Sequence, residues 1–301
     1  MRNLLLFIRL TRPIFIIGVA IIYALGAGIA HYLGFYIDPT IYVLGQIWVT
    51  LLQLSAQYLN EYFDYRVDQN NQNRTLITGG SGALGPGKLP RRTALIAAYC
   101  CFAFLASHTV VLMTVVQFSA LLVLIMLFAF VGSVIYSTPP IRLEGSGYGE
   151  LIASVIIAFL VPAFAFLLQS GEFHRLIPMT TFSLTTLLLA TLIAFELPDY
   201  AFDFKFGKQT LVVRISCEYA FTLHNILILS SYLLLGIAAI FGLPNFVLVS
   251  GMITLPFGLF QIWQMRKIAI GLKPNWSMLT IGSLSTFGLM TYLITFTYWI
   301  N

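Results

Sequence analysis

The chain has 301 residues, 59% hydrophobic and 9% charged, with a formal net charge of +5. Soluble domains carry about 25% charged residues, so a mean hydropathy of +0.90 excludes an ordinary soluble globule. The positive balance does not mark a nucleic-acid binder either, because the basic residues sit in connections between long apolar runs.

The opening, MRNLLLFIRLTRPIF, reads as the approach to a retained first span. Arg9 and Arg12 break its apolar run, and no small-residue cleavage site follows. A membrane span needs about 20 mostly apolar residues. Candidate spans fall at 13–32, 41–63, 93–114, 117–137, 149–169, 176–198, 219–241, 245–265 and 277–299. Lipid offers backbone amides no partners, so these continuous runs predict helices rather than barrel strands. The expected fold is therefore an all-α polytopic membrane protein with nine spans, one domain over residues 1–301. Cys100, Cys101 and Cys217 show no metal spacing, and the four histidines are scattered. They predict packing residues and no zinc site.

The connections alternate in character. Arg2, Arg9 and Arg12 precede the first span. Arg66, Arg74, Lys88, Arg91 and Arg92 follow the second, and Arg142 the fourth. Lys205, Lys208 and Arg214 follow the sixth, and Arg266, Lys267 and Lys273 the eighth. Only Arg175 falls on the other side. The positive-inside rule then places the N-terminus and these loops in the cytoplasm, which in a bacterium means a protein of the inner membrane.

The same span count sends two acidic clusters to that face. Glu61, Asp64 and Asp68 close span two, and Glu196, Asp199 and Asp203 close span six. Asn60, Asp64 and Asp68 are spaced by four, which on a helix makes one stripe. Asp199 and Asp203 repeat the spacing. Carboxylates one turn apart repel each other, and a divalent cation relieves that repulsion. Oxygen ligands without Cys or His point to Mg²⁺, which commonly bridges carboxylates to phosphate oxygens. Each cluster adjoins a basic loop, DYRVDQNNQNRTLITGGSGALGPGK or DYAFDFKFGKQT. Arg74, Lys205 and Lys208 are candidate phosphate clamps, with Gly79, Gly80 and Gly82 permitting close backbone approach. Pro198, just before Asp199, either kinks or simply ends its helix.

Several motifs together resemble the UbiA superfamily of intramembrane prenyltransferases. NEYFDYRVD is similar to the family's first Asp-rich signature, and ELPDYAFDFKFGKQTL to its second. YSTPPIRL at 136–143, followed by GYGEL, resembles its tyrosine segment, and Arg12-Pro13 its opening. The resemblance implies helices around a central cavity, with Asn60, Asp64 and Asp68 holding one Mg²⁺ and Asp199 and Asp203 a second. It implies diphosphate contacts from Arg74 and Lys208, and Tyr136 near the reacting allylic carbon. Glu61 stands where Asp is usual, and Glu196 where related naphthoate enzymes often have Asn.

The reaction implied is transfer of a polyprenyl group from an allylic prenyl diphosphate to an aromatic acceptor. The closest branch is that of 1,4-dihydroxy-2-naphthoate, in menaquinone-type quinone biosynthesis. Other acceptors remain open: 4-hydroxybenzoate, homogentisate, haem, chlorophyllide or a glycerol lipid. Cations at the membrane face would neutralise the leaving diphosphate, while Tyr136 at a span end can face the allylic cation. Glu196 is a candidate base. A transporter is the reading from another class, but transporters concentrate charge near the midplane, and most predicted spans here lack it.

Overall fold

The computed structural model describes residues 2–70, 73–75 and 77–301. Positions 71, 72 and 76 of the first basic loop lie outside them. Among the described residues the chain is helical, apart from an isolated bridge pairing Leu84 with Leu89.

A short helix α1 (Arg2–Leu10) precedes the first long one, α2 (Pro13–Tyr32). Helix α3 (Pro39–Phe63) continues, after a break at Asp64, into α4 (Tyr65–Asn70). Next come α5 (Arg91–Val115), α6 (Ala120–Ser137) and α7 (Gly149–Val155), which passes through a π turn at Ile156–Leu160 into α8 (Val161–Ser170). Helix α9 (Leu176–Glu196) is followed by the short α10 (Tyr200–Lys205) and by α11 (Leu211–Ile240). The last are α12 (Asn245–Met252), α13 (Leu255–Ala269) and α14 (Trp276–Ile300). The N-terminal helix α1 is a separate element that the span pattern did not anticipate.

Local chemistry sets several of these ends. Asp38 Oδ1 accepts from Thr40 N at 2.7 Å and Ile41 N at 3.1 Å, and Pro39 occupies the first turn of α3. Ser119 caps α6 and Asn275 caps α14 in the same way. Pro198 lies in the break between α9, which ends at Glu196, and α10, which starts at Tyr200. Helix α11 begins earlier than the predicted span, at Leu211, where Thr210 caps it, and a kink at Ser216 (φ 72°) separates a first short piece from the long one.

Eight helical segments are long and apolar enough to cross a membrane: α2, α5, α6, α7–α8, α9, α11, α12–α13 and α14. Helix α3, at 25 residues, is long enough but more polar, carrying Gln46, Gln53, Gln57, Asn60 and Glu61. It packs against α5, α6 and α2. Helix α2 also packs on α8 and α14, and α9 on α11 and α14. Gly26 permits the α2–α8 contact, since a methyl group there would strike the Pro162 carbonyl. The outward faces of α5 and α6 carry exposed Ile96, Phe104, Val110, Leu124, Leu127 and Phe128, as a lipid-facing surface requires.

The main apolar core runs through α2, α3, α8, α9 and α14. Two satellite clusters flank it. One, around Leu10, Tyr58, Leu59, Leu84 and Ala94, supports the end of α3 and its loop. The other, around Ile193, Leu197, Val212, Met265 and Leu279, supports the end of α9. Each acidic cluster thus has its own apolar footing, and α4 and α10 pack against each other across the space between them.

Candidate active site

Between these footings opens a cavity of about 420 Å³. Its wall includes Asn60, Asp64, Asp68, Tyr136, Asp199, Asp203 and Lys208. Seven of the residues that the sequence singles out therefore share one chamber, although they come from α3, α4, α6, α10 and two loops. The remaining wall is largely apolar, with Ile22, Leu52, Ile125, Phe164, Leu188 and Phe287 extending from the polar end.

The expected helical stripe is broken. Asp64 (φ −85°, ψ −1°) ends α3, so Asp68 projects from α4 rather than from the same helix. Asp64 is 4% exposed and is the hub of the site. Its Oδ2 accepts from Lys208 Nζ at 2.6 Å, and its Oδ1 from Arg142 Nη2 at 2.9 Å. Arg142 also donates to Glu144 Oε1 at 3.0 Å, and Glu144 Oε2 accepts from Asn60 Nδ2 at 2.6 Å and Ser137 Oγ at 2.8 Å. Lys208 thus belongs to the second loop in sequence and to the first cluster in space.

The electrostatics follow from this wiring. Burial alone would raise Asp64, but Lys208, the hydrogen bonds and Arg142 outweigh it and hold the carboxyl below its usual range. Asp68 receives no salt bridge among the described residues: burial, reinforced by the Asp64 charge, outweighs the pull of Arg12 and Lys208 and pushes it up to about 8. Burial raises Glu144 to about 7, with Asp64 adding to the effect. Burial also raises Asp203 to about 7 against the pull of Lys208. Lys208 would be lowered by burial, yet the charges of Asp64, Glu144 and Asp203 hold it well above the normal lysine range.

Arg74 and Lys205 take other positions. Arg74 donates through Nε to Gly79 O and through Nη2 to Asp68 O, both at 2.6 Å, so its guanidinium braces the loop beside the cavity. Gly80 and Gly82 adopt positive φ there, and a side chain on Gly80 would collide with Asp68. Lys205 is exposed at the end of α10 and does not line the cavity. Asn73 Nδ2 donates to Pro198 O at 3.1 Å and so ties the first loop to the second cluster.

Four residues of this network escaped sequence reasoning: Arg142, Glu144, Ser81 and Glu150. Arg142 lies in the YSTPPIRL segment quoted for Tyr136 and Glu144 directly follows it; two charges there beside a span end were the available signal. Arg12, which opens the first motif, donates to Glu61 Oε1 at 2.5 Å. Ser81 completes that buried knot, donating to Glu61 from its backbone N and its hydroxyl, each at 2.7 Å. Glu61 therefore anchors the glycine loop.

Among the described residues, no three acidic, His or Cys side chains converge on a single point as a closed metal cage. Mg²⁺ does not require one, since it commonly takes one or two carboxylates and completes its shell with water and substrate phosphates. The donor set here is all oxygen, and two of its carboxyls, Asp68 and Asp203, receive no salt bridge among the described residues. The residues fit a divalent cation brought in with an anionic ligand.

Comparison with known proteins agrees with this geometry. A UbiA homolog from Archaeoglobus fulgidus, solved bound to DMAPP and Mg2+, matches with a TM-score of 0.69 at 20% identity, over 96% of this chain and 98% of that one. A digeranylgeranylglyceryl phosphate synthase structure matches at 0.65 and 15% identity, over 100% and 98%. A UbiA homolog from Aeropyrum pernix K1, solved in its apo form, matches at 0.56 and 13%, over 93% and 94%. At such identities these matches establish the fold. No curated protein matches the chain in sequence. The model of the UbiA prenyltransferase family matches residues 19–284, which is most of the chain, so this protein belongs to the UbiA prenyltransferase family and is an integral, multi-pass membrane prenyltransferase.

Proposed function

We propose that the protein transfers a polyprenyl group from an allylic prenyl diphosphate to an aromatic acceptor, in a Mg²⁺-dependent reaction. The observation that carries this reading is the shape and polarity of one chamber: a carboxylate and cation network at one end and a long apolar wall behind it. That matches an isoprenoid diphosphate, with its charged head and hydrocarbon tail. Relatives of the same fold were solved with DMAPP or GPP and Mg2+.

In this reading Asn60, Asp64 and Asp68 hold one Mg²⁺, and Asp199 and Asp203 a second. The ions, when bound, neutralise the diphosphate and favour its departure. Lys208 and Arg142, both paired with Asp64, add positive charge beside the leaving oxygen. The apolar wall excludes water from the allylic centre. Tyr136 offers a π face to the positive carbon. Arg74 acts on the diphosphate through the loop it braces, and Lys205 serves the approach of the anion. Helix α3 counts as a ninth crossing, and the positive-inside bias places the chamber mouth in the cytoplasm.

The favoured acceptor is 1,4-dihydroxy-2-naphthoate, from the form of the NEYFDYR and GKQTL motifs. The likeness to a digeranylgeranylglyceryl phosphate synthase favours a glycerol lipid as the second reading. The test is purified protein with geranylgeranyl diphosphate, Mg²⁺ and a panel of labelled acceptors. A prenylated naphthoate with released diphosphate is expected. Exclusive labelling of the glycerol lipid would replace the acceptor, and no Mg²⁺-dependent diphosphate release with any acceptor would overturn the reading.

A further inference from the structure

Helix α1 (Arg2–Leu10) takes no part in the reaction proposed above. Its nine residues make it about 14 Å long, too short to cross an apolar layer of about 30 Å. Nor is it an extension of α2, because Arg12 takes a left-handed backbone (φ 43°) between the two. Its side chains sort into three faces. Leu4, Leu5 and Ile8 share an arc of about 100° and are 64%, 64% and 46% exposed. Leu6 and Leu10 face the protein, packed with Tyr58, Leu84 and Leu89, and Leu10 O accepts from Gln57 Nε2 at 3.3 Å. Arg2 and Arg9, two turns apart, lie along the edge between these faces.

That edge meets the glycine loop. Arg2 Nη2 donates to Gly87 O, Lys88 Nζ donates to Gly82 O at 2.8 Å, and the Arg9 guanidinium stands beside Gly82. None of these three cations joins a salt bridge among the described residues. Backbone carbonyls hold them without cancelling their charge. Ile14 and Ile17 at the start of α2 are exposed as well, so the apolar face of α1 leads onto the surface that a crossing helix turns to lipid. A bilayer supplies both partners at once: acyl chains for the apolar face and an anionic headgroup for the cations.

We infer that α1 lies in the membrane interface and that its junction with the glycine loop binds the headgroup of an anionic phospholipid, with Arg2, Arg9 and Lys88 around the phosphate. The lipid thereby braces from outside the loop whose Gly79 and Gly80 line the chamber. The inference stands apart from the identity of the acceptor and from the transfer reaction itself.

The test uses the full-length Leu5→Trp variant in nanodiscs holding a minority of phosphatidylglycerol in phosphatidylcholine. Either one lipid or the other carries bromine atoms, which quench indole fluorescence on contact. The signal is the quenching in excess of the wild type, whose four tryptophans set the background. Per brominated molecule, phosphatidylglycerol should quench about fivefold more than phosphatidylcholine. Adding Arg2→Gln and Arg9→Gln should bring that ratio below about twofold while quenching by phosphatidylcholine persists. Should the arginine variant misfold, seen as lost Mg²⁺-dependent binding of an unreactive geranylgeranyl thiodiphosphate, about 1 M salt should abolish the preference in the protein that keeps its arginines. Inorganic phosphate at constant ionic strength should leave the ratio unchanged; its collapse there would mean a site for a free anion and overturn the lipid. A ratio of about one with the arginines present, or one that neither their loss nor salt reduces, overturns the headgroup site. No excess quenching by either lipid means that water, a second copy or another protein covers the apolar face, and overturns the inference entirely.

Discussion

The two aspartate pairs look alike in sequence, Asp64-Tyr-x-x-Asp68 and Asp199-Tyr-x-x-Asp203, and both mount their second aspartate on a short helix after a long one. Their surroundings differ. Asp64 is clasped by Lys208 and Arg142, and its neighbour Glu61 ties down the glycine loop through Arg12 and Ser81. Asp203 receives no salt bridge among the described residues, and the lysine of its own loop reaches across to Asp64. A repeated motif has thus been wired asymmetrically: Asp64 is clasped by two cations, whereas Asp203 receives no salt bridge among the described residues.

That asymmetry can be broken from either side. Asp64→Ala should have the largest effect. It removes a ligand and strands the largely enclosed Lys208, so prenyl transfer in membranes should fall by more than about 100-fold, with stability also lowered by roughly 3 kcal/mol. Retained transfer in both Asp64→Ala and Asp199→Ala would sink the metal assignment. Asp203→Asn should also cost about 100-fold in kcat/KM, but with little change in the thermal midpoint, because no ion pair is lost. Equal destabilisation by the two variants would erase the distinction between the clasped Asp64 and Asp203.

The next effect is on pH. Asp68 at about 8 and Asp203 at about 7 are largely protonated below neutrality in the metal-free protein. Mg²⁺ binds their charged forms, so its apparent affinity should rise as pH increases from about 6 to about 8, with protons released on binding. Calorimetry in buffers of different ionisation enthalpy measures that release; affinity falling with pH would contradict the placement of these carboxyls. The smallest effect belongs to Lys205→Ala. The side chain is exposed and outside the chamber, so kcat/KM should stay within about twofold, whereas Lys208→Ala should raise the KM for prenyl diphosphate by roughly tenfold or more.

Much of this was legible before any fold was known. Long apolar runs separated by one-sided charges define spans and a polar face, because lipid leaves the backbone few alternatives. The metal-type aspartates were visible because a period of four stands out in a chain with few acids. Arg142 and Glu144 were not, because their partner Asp64 is 78 residues from Arg142 and the pairing depends on how α3 and α6 meet. Arg74 has a loop-bracing role that spacing could not show, since it depends on two backbone carbonyls, those of Gly79 and Asp68, folding back onto it. The break at Asp64 was also hidden, since spacing by four fits one continuous helix as well as two.

The bond between Lys208 and Asp64 joins positions 144 residues apart, and this bears on how the protein is made. The ribosome delivers α3 well before α10 and α11, so Asp64 reaches the membrane boundary long before its lysine exists. Until then the acid must stay hydrated, and the chamber mouth must stay wet. A nascent chain cut after α8 therefore carries the early spans and Asp64 but not the ammonium group that pairs with it.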